Sequence, residues 1–330
     1  MNQDILTYEE YAAIHEQPLE AFLATLESIA QQCGLPRLEW QRQKVGRNLV
    51  FFLGSAFVVK LTPPFWWQLE ERAALTLAYR KLPLETPELV AQGEIYFGGH
   101  IWSFLVQTQV AGSASYQQWR NLSESQQVRL AAAHGSLMRH LHAVQWSETF
   151  PEALWLDWRG LLSEQYQSLE SALRHSVARP HLIHQISGAV PVSADWHVPE
   201  RLISNTAAFL EPRLELVLGN SERLFLHGDL NPLNLLVNSD LEICGIVDFS
   251  DSRVGPREHD LVSPIMNFYY RSEPVLESFL SAYGDKADRT QTFVRCILFY
   301  ASEWAHRLGI MFGDAPPDAW DAVAERLHLL

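Results

Sequence analysis

The spacing of apolar residues changes several times along the first part of the chain, and each change predicts a different element. Apolar side chains recur at helical spacing between positions 19 and 29, which predicts a helix. Positions 45–61 are rich in Val, Phe and Leu around Gly54-Ser55, which predicts two strands joined by a turn. Helical spacing returns over positions 65–82, and Pro83 is expected to end that helix.

A hairpin is predicted next. Apolar stretches at positions 94–97 and 101–106 flank Gly98-Gly99, and paired glycines are typical of tight turns between antiparallel strands. After an initial helical region, the first third of the chain is therefore predicted to run strand, strand, helix, strand, strand.

Beyond Gly112 the pattern becomes mostly helical. Ser123 and Gln126 have the spacing of a capping box at the start of one helix, and positions 196–218 predict another. A compact β segment over positions 224–249 interrupts the helices, which then continue to the end. The weakly patterned stretch 180–196 is predicted to be a loop or an insertion.

These elements indicate an α+β chain with two parts. The boundary is placed near positions 109–112, which gives a smaller, β-rich N-terminal lobe at 1–110 and a larger, mostly helical C-terminal lobe at 111–330. A length of 330 residues is compatible with one large domain or about two ordinary ones.

The charge balance excludes one class of partner and weakly favours another. The chain carries 25 Lys and Arg against 39 Asp and Glu, so its formal net charge is −14. Such a chain is a poor candidate for binding nucleic acid, which depends on neutralising phosphates with basic residues. An acidic protein attracts cationic small molecules instead.

Cysteine usage and the N-terminal residues bear on localisation. The 3 cysteines are far apart in the sequence, so neither a disulfide framework nor a cysteine-based zinc site is indicated. The acidic start has no basic region followed by an apolar stretch, and the most apolar run, at positions 48–60, is too short to span a bilayer. A cytoplasmic protein without membrane contact is expected.

Oxygen-bearing side chains cluster at the ends of the short strands predicted between positions 224 and 249. Asp229 and Asn234 follow the first strand, and Asp248 follows the third. A single Asp at a strand end is ordinarily a cap or a surface charge, but carboxylate and amide oxygens together are what Mg²⁺ prefers. The three side chains are therefore expected to lie around one divalent ion. A carboxylate that does not bind the ion would orient a hydroxyl.

The amino-acid sequence of this segment resembles that of a known group of enzymes. Positions 224–238 are LFLHGDLNPLNLLVN and positions 241–251 are LEICGIVDFSD. An H-x-D-x-x-x-x-N loop followed by an Asp-Phe metal loop resembles the machinery of phosphoryl-transfer kinases. Gly228 and Ser250 stand where protein kinases usually have Arg and Gly. The segment is similar to the aminoglycoside phosphotransferase family, and within it to hygromycin-type enzymes.

The resemblance implies a bilobal, protein-kinase-like fold. It also implies roles for five residues in or just after the segment. Asp229 is the implied catalytic base, and Asn234 and Asp248 are the implied Mg²⁺ ligands. His227 and Asp260 are implied to support the loop rather than to take part in the chemistry.

The remaining parts are implied upstream, in the order that the family has. Lys60 ends a strand, as the lysine that binds the α- and β-phosphates of ATP or GTP does. Glu71 in the following helix matches the acid that pairs with this lysine, and Glu70, one position earlier, is left open as the alternative. Gly46 is the only glycine at positions 44–51, so the glycine-rich loop of kinases is poorly matched there.

Two further sets of positions are implied to contact ligands. Positions 104–110 resemble the hinge that receives the adenine, with Gln107 and Gln109 as candidate nucleotide-binding residues. Order along the chain places acidic and polar residues where the family holds the amino groups of its substrate, namely Asp251, Asn267 and Glu303, with Trp304 as a further candidate.

The expected function is transfer of the nucleotide γ-phosphoryl group to a hydroxyl of an aminoglycoside or aminocyclitol. Two alternatives stay open. One is a metabolite kinase that acts on an amino alcohol, a sugar or a hydroxy-amino acid. The other is a nucleotide-binding pseudokinase that serves as an interaction module.

Overall fold

The structure is a computed structural model that describes residues 6–43, 48–63, 69–79, 81–119, 121–144, 146, 149–176, 196–284, 288–313, 315 and 317–330. The chain forms two compact units. The first comprises Met1–Ala111 together with Gly245–Asp251, and the second comprises Gly112–Cys244 with Ser252–Leu330. The chain therefore returns to the first unit for a short segment before it completes the second.

The first unit is built on one antiparallel sheet. Its strands are β1 (Trp40–Gln43), β2 (Leu49–Leu53), β3 (Phe57–Thr62), β4 (Leu89–Phe97) and β5 (His100–Thr108), in the order β1-β2-β3-β5-β4. β3 is central, and its residue Lys60 lies opposite Val50 on one side and Leu105 on the other. Because the strand is paired on both edges, the backbone at Lys60 is held in a fixed register.

Helices complete the first unit. They are α1 (Tyr8–His15), a 3-10 turn at Leu19–Ala21, α2 (Leu23–Gln32) and α3 (Leu69–Ala78). Phe22 and Leu26 are fully buried with Phe51 and Phe104 of the sheet, and the rings of Phe22 and Phe51 are 5.1 Å apart. Burial of large aromatic and aliphatic side chains of this kind provides most of the stability of a layer of helices on a sheet.

The second unit is mainly helical. Its helices are α4 (Ser115–Trp119), α5 (Glu124–Ala143), α6 (Trp158–Arg174), α7 (Glu200–Leu218), α8 (Glu258–Asn267), α9 (Glu273–Tyr283), α10 (Arg289–Phe299), α11 (Trp304–Phe312) and α12 (Trp320–Arg326). Short 3-10 turns lie at Glu152–Leu154, Tyr269–Arg271 and Ala301–Glu303. The start of α5 has the capping box predicted from Ser123 and Gln126.

Short strands lie between α7 and α8. They are β7 (Leu224–Leu226), β8 (Leu235–Val237), β9 (Ile243–Ile246) and β10 (Arg253–Gly255), and β6 (Ser113–Ala114) pairs with β8. β7 pairs with β10, so Leu226 lies opposite Arg253. The loop that begins at His227 therefore starts from a strand that is anchored by its partner.

Helices α5 and α9 approach one another closely at Gly135. A Cβ atom at this position would lie 2.1 Å from the carbonyl oxygen of Phe279 and 3.0 Å from the backbone nitrogen of Tyr283. Only glycine allows the two backbones to come so near. On either side of this point, His134 and His142 of α5 reach Tyr269 and Tyr283, at 2.7 and 2.8 Å.

Most of the predicted elements are confirmed, and the differences lie at their ends. The two strands around Gly54, the hairpin at Gly98-Gly99 and the β segment after position 224 are present. The helix predicted at 19–29 is instead a 3-10 turn followed by α2, which begins at Leu23. Of the helix predicted at 65–82, the structure describes α3 over Leu69–Ala78. Gly46 and almost all of the predicted loop at 180–196 lie outside the described residues.

Candidate active site

Lys60 is held between two carboxylates in the first unit. Its Nζ lies 2.5 Å from Oε1 of Glu71, which comes from the first turn of α3, and 2.7 Å from Oδ1 of Asp248. Lys60 and Glu71 are buried, whereas the side chain of Asp248 is 36% exposed. Of the two acids left open by the sequence, Glu71 is the one that pairs with Lys60.

This arrangement keeps Lys60 protonated. Burial alone would lower the pKa of Lys60, but the carboxylates of Asp248 and Glu71 outweigh that effect and raise the pKa. Burial raises the pKa of Glu71, so the negative charge that faces solvent in this cluster is that of the partly exposed Asp248. Such a charge favours a cation, and one or two carboxylates plus phosphate oxygens are the usual environment of Mg²⁺.

Asp248 has an uncommon backbone conformation. Its φ is 65°, in the left-handed region that few residues other than glycine adopt, although Asp and Asn are enriched among those that do. Its Oδ1 accepts a hydrogen bond from the hydroxyl of Ser250 at 3.0 Å as well as the bond from Lys60. Residues in such conformations are concentrated at functional sites.

The predicted hinge continues β5. The backbone N–H groups of Thr108 and Gln109 already donate to the carbonyls of Glu88 and Ala56, at 3.0 and 2.9 Å. Within the described part of the chain, the buried side-chain oxygens of Gln107 and Gln109 have no hydrogen-bond partner. These two backbone N–H groups are therefore already engaged and could not both receive an adenine without giving up their present bonds. The nucleotide-binding role of Gln107 and Gln109 stays a prediction.

In the second unit, Asp260 holds the loop that follows β7. Its carboxylate accepts hydrogen bonds from the backbone N–H of His227 at 3.0 Å, that of Gly228 at 2.6 Å and Nε2 of His142 at 3.0 Å. Burial would raise the pKa of Asp260, but the bonds from His142 and the nearby His227 outweigh it and lower the pKa. A φ of 83° at Gly228 makes the sharp turn possible.

Asp229 is surrounded by donors. Its Oδ1 accepts from Nδ2 of Asn231 at 2.7 Å and from the hydroxyl of Ser263 at 2.5 Å. Nδ2 of Asn234 donates to the backbone oxygen of Asp229 at 2.8 Å and to Oδ2 at 3.2 Å. The amide nitrogen of Asn234 therefore faces Asp229, which leaves its side-chain oxygen as the atom with which it could bind a cation.

Two of these partners were missed by the sequence analysis. Asn231 lies inside the motif and could have been suspected from its position two residues after Asp229. Ser263 comes from α8, and no local pattern connects it with the loop; only the fold brings the two together.

The residues predicted to bind substrate are found in two places. Asp251 lies in the first unit and is exposed, with the hydroxyl of Ser250 at 3.5 Å from its Oδ2. Asn267 and Glu303 lie in the second unit, where both contact Arg307: its Nη2 is 3.2 Å from Oδ1 of Asn267 and 2.6 Å from Oε2 of Glu303.

The other candidate, Trp304, has a place in the core. It is fully buried, and its indole nitrogen donates to the carbonyl of Ile297 at 3.2 Å. Its ring packs against that of Trp320, with centroids 5.0 Å apart. These contacts indicate that Trp304 packs in the core.

The three expected oxygen donors are divided between the two units. Asp229 and Asn234 are in direct contact within the second unit, whereas Asp248 lies with Lys60 in the first. A common ion for the three stays a prediction. Across the described residues, no group of three or more His, Cys, Asp or Glu is placed to hold a metal. Nor does any helix in the described ranges have the length and apolar character to cross a membrane.

A comparison with known families decides where this chain belongs. The profile of the phosphotransferase enzyme family, APH, matches residues 43–293. The chain belongs to this family. The match runs from β2 into the first part of α10 and so includes Lys60, Glu71, Asp229, Asn234 and Asp248. Membership of the APH family confirms that the chain is a phosphotransferase enzyme, as its resemblance implied.

Solved structures of other proteins support the predicted fold. The GDP complex of aminoglycoside 2'-phosphotransferase-IIIa has 16% identity and a TM-score of 0.63, over 93% of this chain and 96% of that one. The GDP and kanamycin complex of APH(2")-IIia has 17% identity and a TM-score of 0.61, over 93% and 97%. A macrolide 2'-phosphotransferase type I has 14% identity and a TM-score of 0.52, over 91% of each chain. The predicted kinase-like α+β fold is confirmed.

Proposed function

We propose that this APH-family enzyme transfers the γ-phosphoryl group of ATP or GTP to a hydroxyl of a small molecule. The observation that carries the proposal is the set of hydrogen bonds around Asp229, which hold its carboxylate in one orientation within an H-x-D-x-x-x-x-N loop. The structures of similar fold include complexes with GDP, ATP and ADP, which supports a nucleotide as phosphoryl donor.

Each residue has a distinct task in the proposed reaction. Asp229 orients the acceptor hydroxyl and receives its proton as the phosphoryl group is transferred. Lys60, fixed by Glu71, binds the α- and β-phosphates. Catalysis then depends on positioning and on fixed charges rather than on a covalent intermediate.

The donor set also suits a divalent cation. Mg²⁺ would be held by the carboxylate of Asp248 and the side-chain oxygen of Asn234, and it would supply neutralisation of the charge on the phosphates. The partly exposed carboxylate of Asp248 supports this assignment, because it is the charge beside Lys60 that a cation could reach.

For the acceptor, an aminoglycoside or aminocyclitol is the first class to test. Structures of similar fold carry kanamycin, streptomycin or gentamicin, and the net charge of −14 suits a cationic molecule in the cytoplasm. One observation favours a less cationic acceptor: Arg307 already neutralises Glu303, one of the acids expected to bind amino groups. A macrolide or a metabolite with fewer amino groups is therefore the second candidate.

The decisive experiment is a turnover assay on the full-length protein. ATP and GTP are supplied separately with Mg²⁺, and kanamycin, gentamicin, streptomycin, hygromycin B, erythromycin, choline and homoserine are each offered as acceptor. Nucleoside diphosphate release and the phosphorylated product are measured by coupled assay and mass spectrometry. Transfer to an antibiotic supports the preferred substrate class, and transfer to choline or homoserine alone supports a metabolite kinase. Nucleotide binding without transfer to any acceptor would contradict the proposal and favour a pseudokinase.

A further inference from the structure

Ser263 forms a hydrogen bond with Asp229. It lies inside α8 and is only 5% exposed, and its hydroxyl oxygen is 2.5 Å from Oδ1 of Asp229. A serine in the interior of a helix commonly donates to the carbonyl four residues earlier. Here the side chain is instead turned toward a carboxylate from a different segment, 34 positions earlier in the chain.

The direction of this hydrogen bond follows from the other neighbours of Ser263. Nδ2 of Asn231 and Nδ2 of Asn267 both lie 3.1 Å from the hydroxyl oxygen. Amide nitrogens only donate, so the oxygen of Ser263 accepts from both. A serine hydroxyl carries a single proton, and the acceptor that remains for it is the carboxylate of Asp229.

The amide of Asn267 is oriented in turn by a buried cation. Nη2 of Arg307 lies 3.2 Å from Oδ1 of Asn267, and Arg307 is 1% exposed. A guanidinium has donors only, so the atom of Asn267 that faces it must be the oxygen. Nδ2 is then turned to Ser263 and to the hydroxyl of Tyr300, which is 3.2 Å away.

Arg307 is itself firmly placed. It donates to the backbone carbonyl of Met266 and to Oε2 of Glu303, and its guanidinium carbon lies 3.9 Å from the centre of the Tyr300 ring. These contacts fix the start of a chain of hydrogen bonds that runs through Asn267 and Ser263 to Asp229.

We propose that Ser263 is a positioning residue for the reaction: anchored through Asn267 to Arg307, it holds Oδ1 of Asp229 and so fixes the rotation of the catalytic carboxylate. The inference rests on the proposed function and extends it to residues outside the catalytic motif. A rotated carboxylate would be misaligned with the acceptor hydroxyl, and small misplacements of reacting groups are costly to the rate.

The test uses the full chain with whichever antibiotic or metabolite of the panel the wild type phosphorylates fastest. Ser263→Ala is expected to lower kcat by about 10- to 100-fold, while KM for nucleotide and for acceptor changes little. Ser263→Thr keeps the hydroxyl and should recover much of kcat.

Ser278→Ala is the matched control. Ser278 lies in α9 of the same unit, and its hydroxyl donates to the carbonyl of Val128 at 2.9 Å. Its loss removes one partly buried serine hydrogen bond without touching Asp229, so kcat should stay as in the wild type.

The outcomes separate the two proposals. A wild type that transfers to none of the acceptors refutes the proposed function, and the role of Ser263 with it. An active wild type with equal kcat in Ser263→Ala refutes the positioning role alone. If Ser263→Thr does not fold, the comparison of kcat with the two KM values in Ser263→Ala decides the question by itself.

Discussion

The ammonium of Lys60 lies 2.5 Å from the carboxylate of Glu71, and the two side chains are almost completely buried. Removing one partner of a buried ion pair is costly, because the other charge is left without compensation. Asp248 gives Lys60 a second partner at 2.7 Å. Glu71 therefore acts chiefly on where the ammonium is held, rather than on whether it is charged.

Replacing Glu71 with Gln should weaken nucleotide binding. Lys60 would keep its bond to Asp248 and move toward it, away from the position in which it binds phosphate. We expect KM for ATP or GTP to rise about tenfold, which corresponds to about 1.4 kcal/mol. Glu70→Gln is the control, since Glu70 occupies the same first turn of α3, whereas the carboxylate 2.5 Å from Lys60 is that of Glu71. Equal effects of the two substitutions would contradict the assignment of Glu71.

Replacing Asp229 with Asn should abolish transfer and retain nucleotide binding. The substitution keeps the shape of the side chain but removes the basic oxygen, and general-base catalysis contributes about 10²–10⁴-fold. Turnover with the best acceptor and nucleotide affinity by calorimetry are the two measurements. Turnover within a factor of about two of the wild type would show that Asp229 is not the base.

Acid should destabilise the protein through His134, which is fully buried, and His259, which is partly buried. Burial lowers the pKa of His134 and that of His259 to about 3. In the unfolded chain each would have a pKa of about 6.5, so the unfolded state binds protons between pH 6.5 and 3 that the folded state does not. Stability is therefore lost as the pH falls below 6.5. The two groups together should cost about 2–3 kcal/mol between pH 7.5 and 5.5.

Urea unfolding at these two pH values measures this loss. His134→Gln should remove about half of it, whatever the substitution does to stability at pH 7.5. An unchanged difference in His134→Gln would show that other groups cause the acid sensitivity.

Adding one methyl group at Gly135 should destabilise the second unit. Alanine is the better helix former by about 1 kcal/mol, so the propensity of α5 alone would predict a gain. The Cβ atom would, however, lie 2.1 Å from the carbonyl oxygen of Phe279. Helices α5 and α9 would have to separate, and overpacking of this kind costs about 1–3 kcal/mol.

Thermal and urea unfolding of Gly135→Ala test this expectation. Ala133→Gly, at an exposed position of the same helix, measures the propensity effect without the contact. Stabilisation of the protein by Gly135→Ala would mean that the two helices are not held at the distance described.

Sequence reasoning reached the elements and the motif residues because their signals are local. The alternation around Gly54, the paired glycines at 98–99 and the spacing from Asp229 to Asn234 are all contained in short windows. The ends of helices were less certain: the helix expected from position 19 begins only at Leu23. A 3-10 turn satisfies the same spacing of apolar residues over a few positions, so the pattern alone does not distinguish the two.

Contacts between distant segments left no such signal. Ser263 and Arg307 belong to different helices, and nothing in their own surroundings in the sequence connects them with Asp229. The choice between Glu70 and Glu71 was likewise decided only by the direction in which α3 presents each side chain. Glu303 was expected to bind a cationic substrate, and its pairing with Arg307 could not be foreseen from order along the chain.

The return of residues 245–251 to the first unit limits how the gene can be divided. A truncation product that ends at codon 111 would contain Lys60 and Glu71 but lack the heptapeptide GIVDFSD, and with it the second carboxylate against the lysine. A fragment meant to fold and bind nucleotide alone would need this heptapeptide grafted back through a linker.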